Sequence, residues 1–66
     1  MTIFLNGETT DIPQNLNLFE LIADKKIQTK GIAIAINQSI IPKSEWDKTL
    51  LKENDNLLII TATQGG

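Results

Sequence analysis

Residues 56–66 read NLLIITATQGG, and the fold turns on how Leu57, Leu58, Ile59 and Ile60 are buried. Successive side chains of a strand point to opposite faces, so an unbroken apolar run marks a strand covered on both faces, a central one. A chain of 66 residues holds one domain. A domain this small buries only about 60% of the surface its unfolded chain exposes, so its core is thin. Beyond the strand come two residues without side chains, Gly65 and Gly66. They would leave a sterically open carboxylate just past a central element. Such an end is either accidental or disordered, or its carboxylate is the working group of the molecule.

The other strands are found by working back from that run. Thr2 to Leu5 is apolar and β-prone, Asn6-Gly7 is the pair favoured in a type I′ turn, and Thr9 to Ile12 can return as a second strand. Pro13 ends the hairpin, and the stretch LNLFELIADKK then predicts a helix. Asn17 is its N-cap and Glu20, three residues on, completes a capping box. Leu16 and Leu21 stand at the positions of a hydrophobic staple, and Leu18, Leu21 and Ile22 share one helix face. Lys25 and Lys26 suit the negative pole at its far end. Strict alternation from Ile32 to Ile36 predicts a third strand with the isoleucines toward the helix and Ala33 and Ala35 away from it. The sequence NQS turns the chain into a short strand from Ser39 to Ile41, which Pro42 stops.

Between Pro42 and Asp55 the pattern is that of a long polar connection, with one helical turn around Ser44 to Trp46 and with Trp46 covering one end of the core. The element order is ββαβββ. With the last strand parallel to the first, a mixed sheet packs on one main helix, an α+β domain of the β-grasp type. The expected core is Ile3, Leu5, Leu18, Leu21, Ile22, Ile34, Ile36, Leu57 and Ile59. Alternation then turns Phe4, Leu58 and Ile60 to the outer face, bordered by Ala33 and Ala35, as a candidate docking patch. Residues 1–62 form the domain and residues 63–66 a flexible diglycine tail.

Composition narrows the chemistry. There is no Cys and no His, hence no thiol nucleophile, no soft metal ligand and no imidazole base. No catalytic residue, metal site or chain-bound cofactor is expected, and the chain is not read as an enzyme. Eight acids against six bases give a net charge of −2, with the lysines scattered along the sequence. That balance disfavours nucleic-acid binding, which needs clustered positive charge. No segment has the length or apolarity to span a membrane, and MTIFLN lacks the basic lead of a secretory signal. Cytoplasmic location and a monomeric free state are the expectations.

The opening MTIFLNG, the capped helix, the block AIAINQSIIPKSEW and the final GG resemble, over the whole chain, the ThiS-type sulfur carriers of the MoaD/ThiS family, which are ubiquitin-like β-grasp proteins. Two positions depart from the family's pattern. Asn54 stands in END where a Gly-Asp turn is usual, and Lys43 stands where arginine is common.

The resemblance implies a role in thiamine biosynthesis. An adenylating, ThiF-like partner would use ATP to activate the Gly66 carboxylate, with Gly65 giving access. A sulfur donor, typically a persulfide fed from cysteine by a desulfurase, would displace AMP. The resulting thiocarboxylate would give its sulfur to a ThiG-like thiazole synthase. Three other readings stay open: the small sulfur-carrier subunit of molybdopterin synthase, a ubiquitin-like modifier, and a protein-interaction module with an inert tail.

Overall fold

Asn6 and Gly7 take φ values of 50° and 86°, the double positive-φ turn their identities call for. In the computed structural model, which describes residues 1–61, this turn joins β1 (Thr2–Leu5) to β2 (Glu8–Asp11). The two strands pair antiparallel with Leu5 opposite Glu8. A second turn of the same kind, at Asn37 (φ 49°) and Gln38 (φ 74°), joins β3 (Ile32–Ile36) to β4 (Ser39–Ile41). The last strand, β5 (Asn56–Thr61), lies in the middle of the order β2-β1-β5-β3-β4. It runs parallel to β1 and antiparallel to β3. The expected β-grasp architecture, element order and parallel pairing of the last strand with the first are those observed. The expected domain boundary after residue 62 and the tail 63–66 lie outside the described residues.

The helix α1 spans Leu18–Asp24. Its capping box is complete: the Glu20 amide donates to Asn17 Oδ1 at 2.7 Å, and the Asn17 amide donates to Glu20 Oε1 at 2.9 Å. At the other end Lys26 adopts φ 55° and its amide donates to the Ala23 carbonyl, while the Ile27 amide donates to the Ile22 carbonyl. This is a Schellman closure with an apolar contact position at Ile27, which packs against the core. Lys25 and Lys26 therefore sit in the cap rather than in the last helical turn, which holds no basic residue.

Ile3, Leu18, Leu21, Ile34 and Leu57 are fully buried, with Ile22 and Ile36 beside them. Two expected core residues differ: Leu5 and Ile59 are half-buried and only pack against the cluster. The cause is topological. β1 pairs with β5 at Phe4 and Leu5, opposite Asn56 and Leu57, so beyond that point β5 has lost its neighbour on one side.

Three further residues, Ile12, Trp46 and Leu51, complete the core. Trp46 sits on a 3₁₀ helix at Lys43–Lys48 and donates from Nε1 to the Ile41 carbonyl at 2.9 Å, so its polar edge is satisfied while its ring is buried. Leu51 corrects the reading of a purely polar connection. The Leu18 amide donates to the Thr49 carbonyl and the Leu51 amide to the Leu16 carbonyl, a short ladder that docks this segment across the entry of α1. Ala35, expected on the shallow outer face, is buried as well.

Candidate functional site

The site is the end of β5 and what surrounds it, because that strand leads into the expected working carboxylate. Gly65 and Gly66 themselves lie outside the described residues. What the structure does describe is how β5 is gripped and which face it offers.

Two turn asparagines hold the strand. Past Leu57 the β1 side of β5 has no strand opposite it, yet the Ile59 amide still needs an acceptor there. Asn6 Oδ1 supplies it at 2.7 Å, while the Asn6 amide donates to the Leu57 carbonyl at 2.9 Å. The turn residue thus extends the ladder with its side chain. At the strand's start Asn37 does the equivalent on the β3 side: its amide donates to the Asn56 carbonyl, and its Oδ1 accepts from the Asn56 amide at 3.0 Å. Asn37 Nδ2 also donates to Asp55 Oδ1, and Asp55 Oδ2 accepts from the Lys52 amide at 2.8 Å. Asp55 is buried, and these two donors satisfy its carboxylate. Sequence patterning identified Asn6 and Asn37 as turn formers; their second role depends on where β5 ends up.

On the outer face, cross-strand pairing puts Ala35 opposite both Leu58 and Ile40, and Ala33 opposite Ile60. Residues directly opposite share a face, so Ile40, Leu58 and Ile60 point the same way over two small alanines. Leu58 and Ile60 are 49% and 43% exposed and Ile40 is 61% exposed. Phe4, half-buried, lies on this face across from Asn56. The structure therefore brings Phe4, Leu58 and Ile60 together and adds Ile40, which the sequence reading missed although its partner Ile41 faces inward. The segment around Trp46 does not cover this surface, since its ring is in the core on the helix side.

A second exposed apolar residue group, Phe19 and Leu50, lies on the helix layer. A shallow groove there is lined by Phe19, Lys43, Ser44 and Asp47. Among the described residues no three potential metal ligands gather, and no helix is long and apolar enough to cross a membrane.

Three comparisons bear on what such a face and strand end serve. The model of the ThiS family matches residues 3–66. The sulfur carrier protein ThiS of Escherichia coli (strain K12) is 27% identical over 66 residues, covering both chains completely. A thiazole synthase of Paramagnetospirillum magneticum is 24% identical over 66 residues, all of this chain but 20% of that protein. Among solved structures, the crystal structure of a thiamine biosynthesis protein (ThiS) from Geobacter metallireducens superposes with a TM-score of 0.90 at 23% identity, covering 100% of each chain.

Proposed function

The chain belongs to the ThiS family, and on that premise we propose that its chemistry takes place at the Gly66 carboxylate. It is a sulfur carrier for thiamine biosynthesis. The observation that carries the finer reading is the extent of the family match, which runs from β1 through both terminal glycines. A carboxylate is a poor electrophile because its oxygen is a poor leaving group. Adenylation by an ATP-using partner would supply a good one. Attack by the outer sulfur of a persulfide would expel AMP and leave an acyl disulfide. A second thiol would then cleave its S–S bond, forming a disulfide with the donor's sulfur and releasing the thiocarboxylate. Glycine at 65 and 66 would let the activated carbonyl pass through a narrow channel, since neither residue carries a side chain to obstruct it. The chain serves as a co-substrate in this scheme, in the cytoplasm, with ATP handled by the activating enzyme.

The acceptor in this proposal is a thiazole synthase. It is supported by the Paramagnetospirillum magneticum relative, in which a segment like this whole chain makes up a fifth of a thiazole synthase. Docking is assigned to the outer sheet face. Residues 62–66, even fully extended, reach no more than about 18 Å at 3.3–3.6 Å per residue. An enzyme acting on Gly66 must then cover surface next to the end of β5, and the apolar surface running back from there is Ile60, then Leu58 and Ile40, with Phe4 opposite the strand's start. Exposed apolar patches of this kind commonly mark partner sites.

The test is intact-mass measurement after incubation with ATP, the adenylating enzyme and a sulfur source. Replacement of one oxygen by sulfur at the C-terminal residue is the expected result. A ladder of conjugates would instead make the chain a protein modifier, and an unchanged mass would overturn the chemistry proposed for Gly66.

A further inference from the structure

The pole at which β5 ends has a second character besides its apolar face. β5 outruns β1 but stays paired with β3 up to Thr61, which lies opposite Ile32. The strand's end is therefore flanked by β3, and the connection that feeds β3, residues 25–31, enters the sheet at that same end. That connection carries Lys25, Lys26 and Lys30, all exposed. Asp24 is the one acid in residues 24–31, so three lysines give this stretch +2 and leave −4 for the remainder of a chain whose total is −2. Lys43 lies elsewhere, in the groove with Phe19, Ser44 and Asp47. Lys48 and Lys52 lie by contrast beside segments that bond to the starts of α1 and β1.

The local backbone holds the basic stretch in shape. Lys25 is the C-cap of α1, Lys26 occupies the left-handed position of the Schellman closure, and Ile27 anchors the stretch to the core. Gly31, at φ 73°, turns the chain into β3. The lysines project from two turns fixed at both ends.

We propose that Lys25, Lys26 and Lys30 form a basic docking collar received by acidic side chains at the mouth of the adenylating enzyme's tail channel. This rests on the reading that Gly66 is the adenylated carboxylate. Because the tail can reach at most about 18 Å, any enzyme that takes it must approach this pole. The adenylating enzyme is the partner chosen because it meets the tail as an anion beside ATP, the most repulsive encounter for a net negative carrier. A positive pole turned toward an acidic rim orients the carrier and offsets that repulsion. Charges at an interface rim act mainly on the association rate and its salt dependence.

The experiment measures association of the full chain with the ATP-loaded adenylating enzyme by stopped flow at several salt concentrations. The variants are Lys25→Gln/Lys26→Gln/Lys30→Gln and, as control, Lys48→Gln/Lys52→Gln. Glutamine is tolerated at positive φ in this chain, as Gln38 demonstrates at 74°. Lys30→Glu alone tests the same charge without touching the helix cap. The collar variants are expected to associate about tenfold more slowly at low salt, to lose most of the salt dependence, and to dissociate at an unchanged rate. The control should match the wild type.

An unchanged association rate in both collar variants, or an equal loss in the control, overturns the collar. So does slowing seen only with thiazole synthase, which would assign the surface to the other enzyme. Mass measurement of wild-type loading runs in parallel. A loaded wild type with an indifferent collar sinks this inference alone, whereas an unloaded wild type sinks the Gly66 reading and the collar with it.

Discussion

Asparagine is the residue on which the positioning of β5 depends. Asn6, Asn37 and Asn54 all occupy positive φ, a region where Asn is several-fold enriched among non-glycine residues. Asn54, at 67°, stands where the resemblance implies a Gly-Asp turn, and its amide donates to the Thr2 carbonyl at 2.7 Å. The departure therefore preserves the turn. Asn6 can be tested apart from its turn role, because glycine keeps the backbone geometry and removes only the Oδ1 acceptor of Ile59. Asn6→Gly is expected to cost roughly 0.5–1.5 kcal/mol, the net worth of one hydrogen bond, read by chemical denaturation. An unchanged midpoint would mean that water replaces the side chain without loss. The turn propensity of Asn6-Gly7 was legible from two letters of sequence. The bond to Ile59 was not, because it spans 53 positions.

At the scale of elements, the fully buried centre of the core is Leu18 and Leu21 of α1 on one side and Ile3, Ile34 and Leu57 of β1, β3 and β5 on the other. Truncating Leu21 or Leu57 to Ala should cost about 2–5 kcal/mol, since the small layers around them cannot collapse to fill the void. Total stability for domains is of order 5–15 kcal/mol, so thermal denaturation should find either variant largely unfolded at modest temperature. Near-wild-type melting of both would contradict the assigned faces. The helix was readable because its capping box and apolar spacing are local signals. The Thr49–Leu51 segment was not, for its ladder to Leu16–Leu18 involves residues distant in sequence and its composition is mostly polar. Trp46 covers one end of the core, as its sequence position predicts, and its full burial depends on the Ile41 carbonyl being there to take its N–H.

For the whole molecule, the sheet separates two tasks. Its inner face builds stability with α1, and its outer face carries Leu58 and Ile60 into solvent. Leu58→Glu should leave the circular dichroism spectrum and melting temperature near those of wild type, because the side chain is half exposed. It should weaken binding to the adenylating enzyme and to thiazole synthase alike. Full-strength binding of the folded variant to both would remove the sheet face as the docking surface. Deleting Gly66, or replacing Gly65 with Trp, should abolish sulfur loading measured by intact mass. Denaturation midpoints should stay put, since both residues lie past the last strand, Asn56–Thr61. Normal loading of the Gly66-deleted chain would be decisive against the proposed chemistry.

Local chemistry determined most of the secondary structure: the asparagine turns, the capped helix, the alternating β3 and the apolar run of β5 each follow from neighbours a few residues apart. From those elements and the size of the chain, one helix on one sheet was close to the only way to bury the apolar set. Strand pairing decided the rest. That β5 passes beyond β1 left Leu5 and Ile59 at the margin of the core and gave Asn6 a bond to make, while its pairing with β3 set Ile32, where the connection from α1 arrives, opposite Thr61. Pairing of β4 set Ile40 beside Leu58 across Ala35. These are long-range relations, fixed by how the layers share a small core, and no local pattern encodes where one strand stops against another.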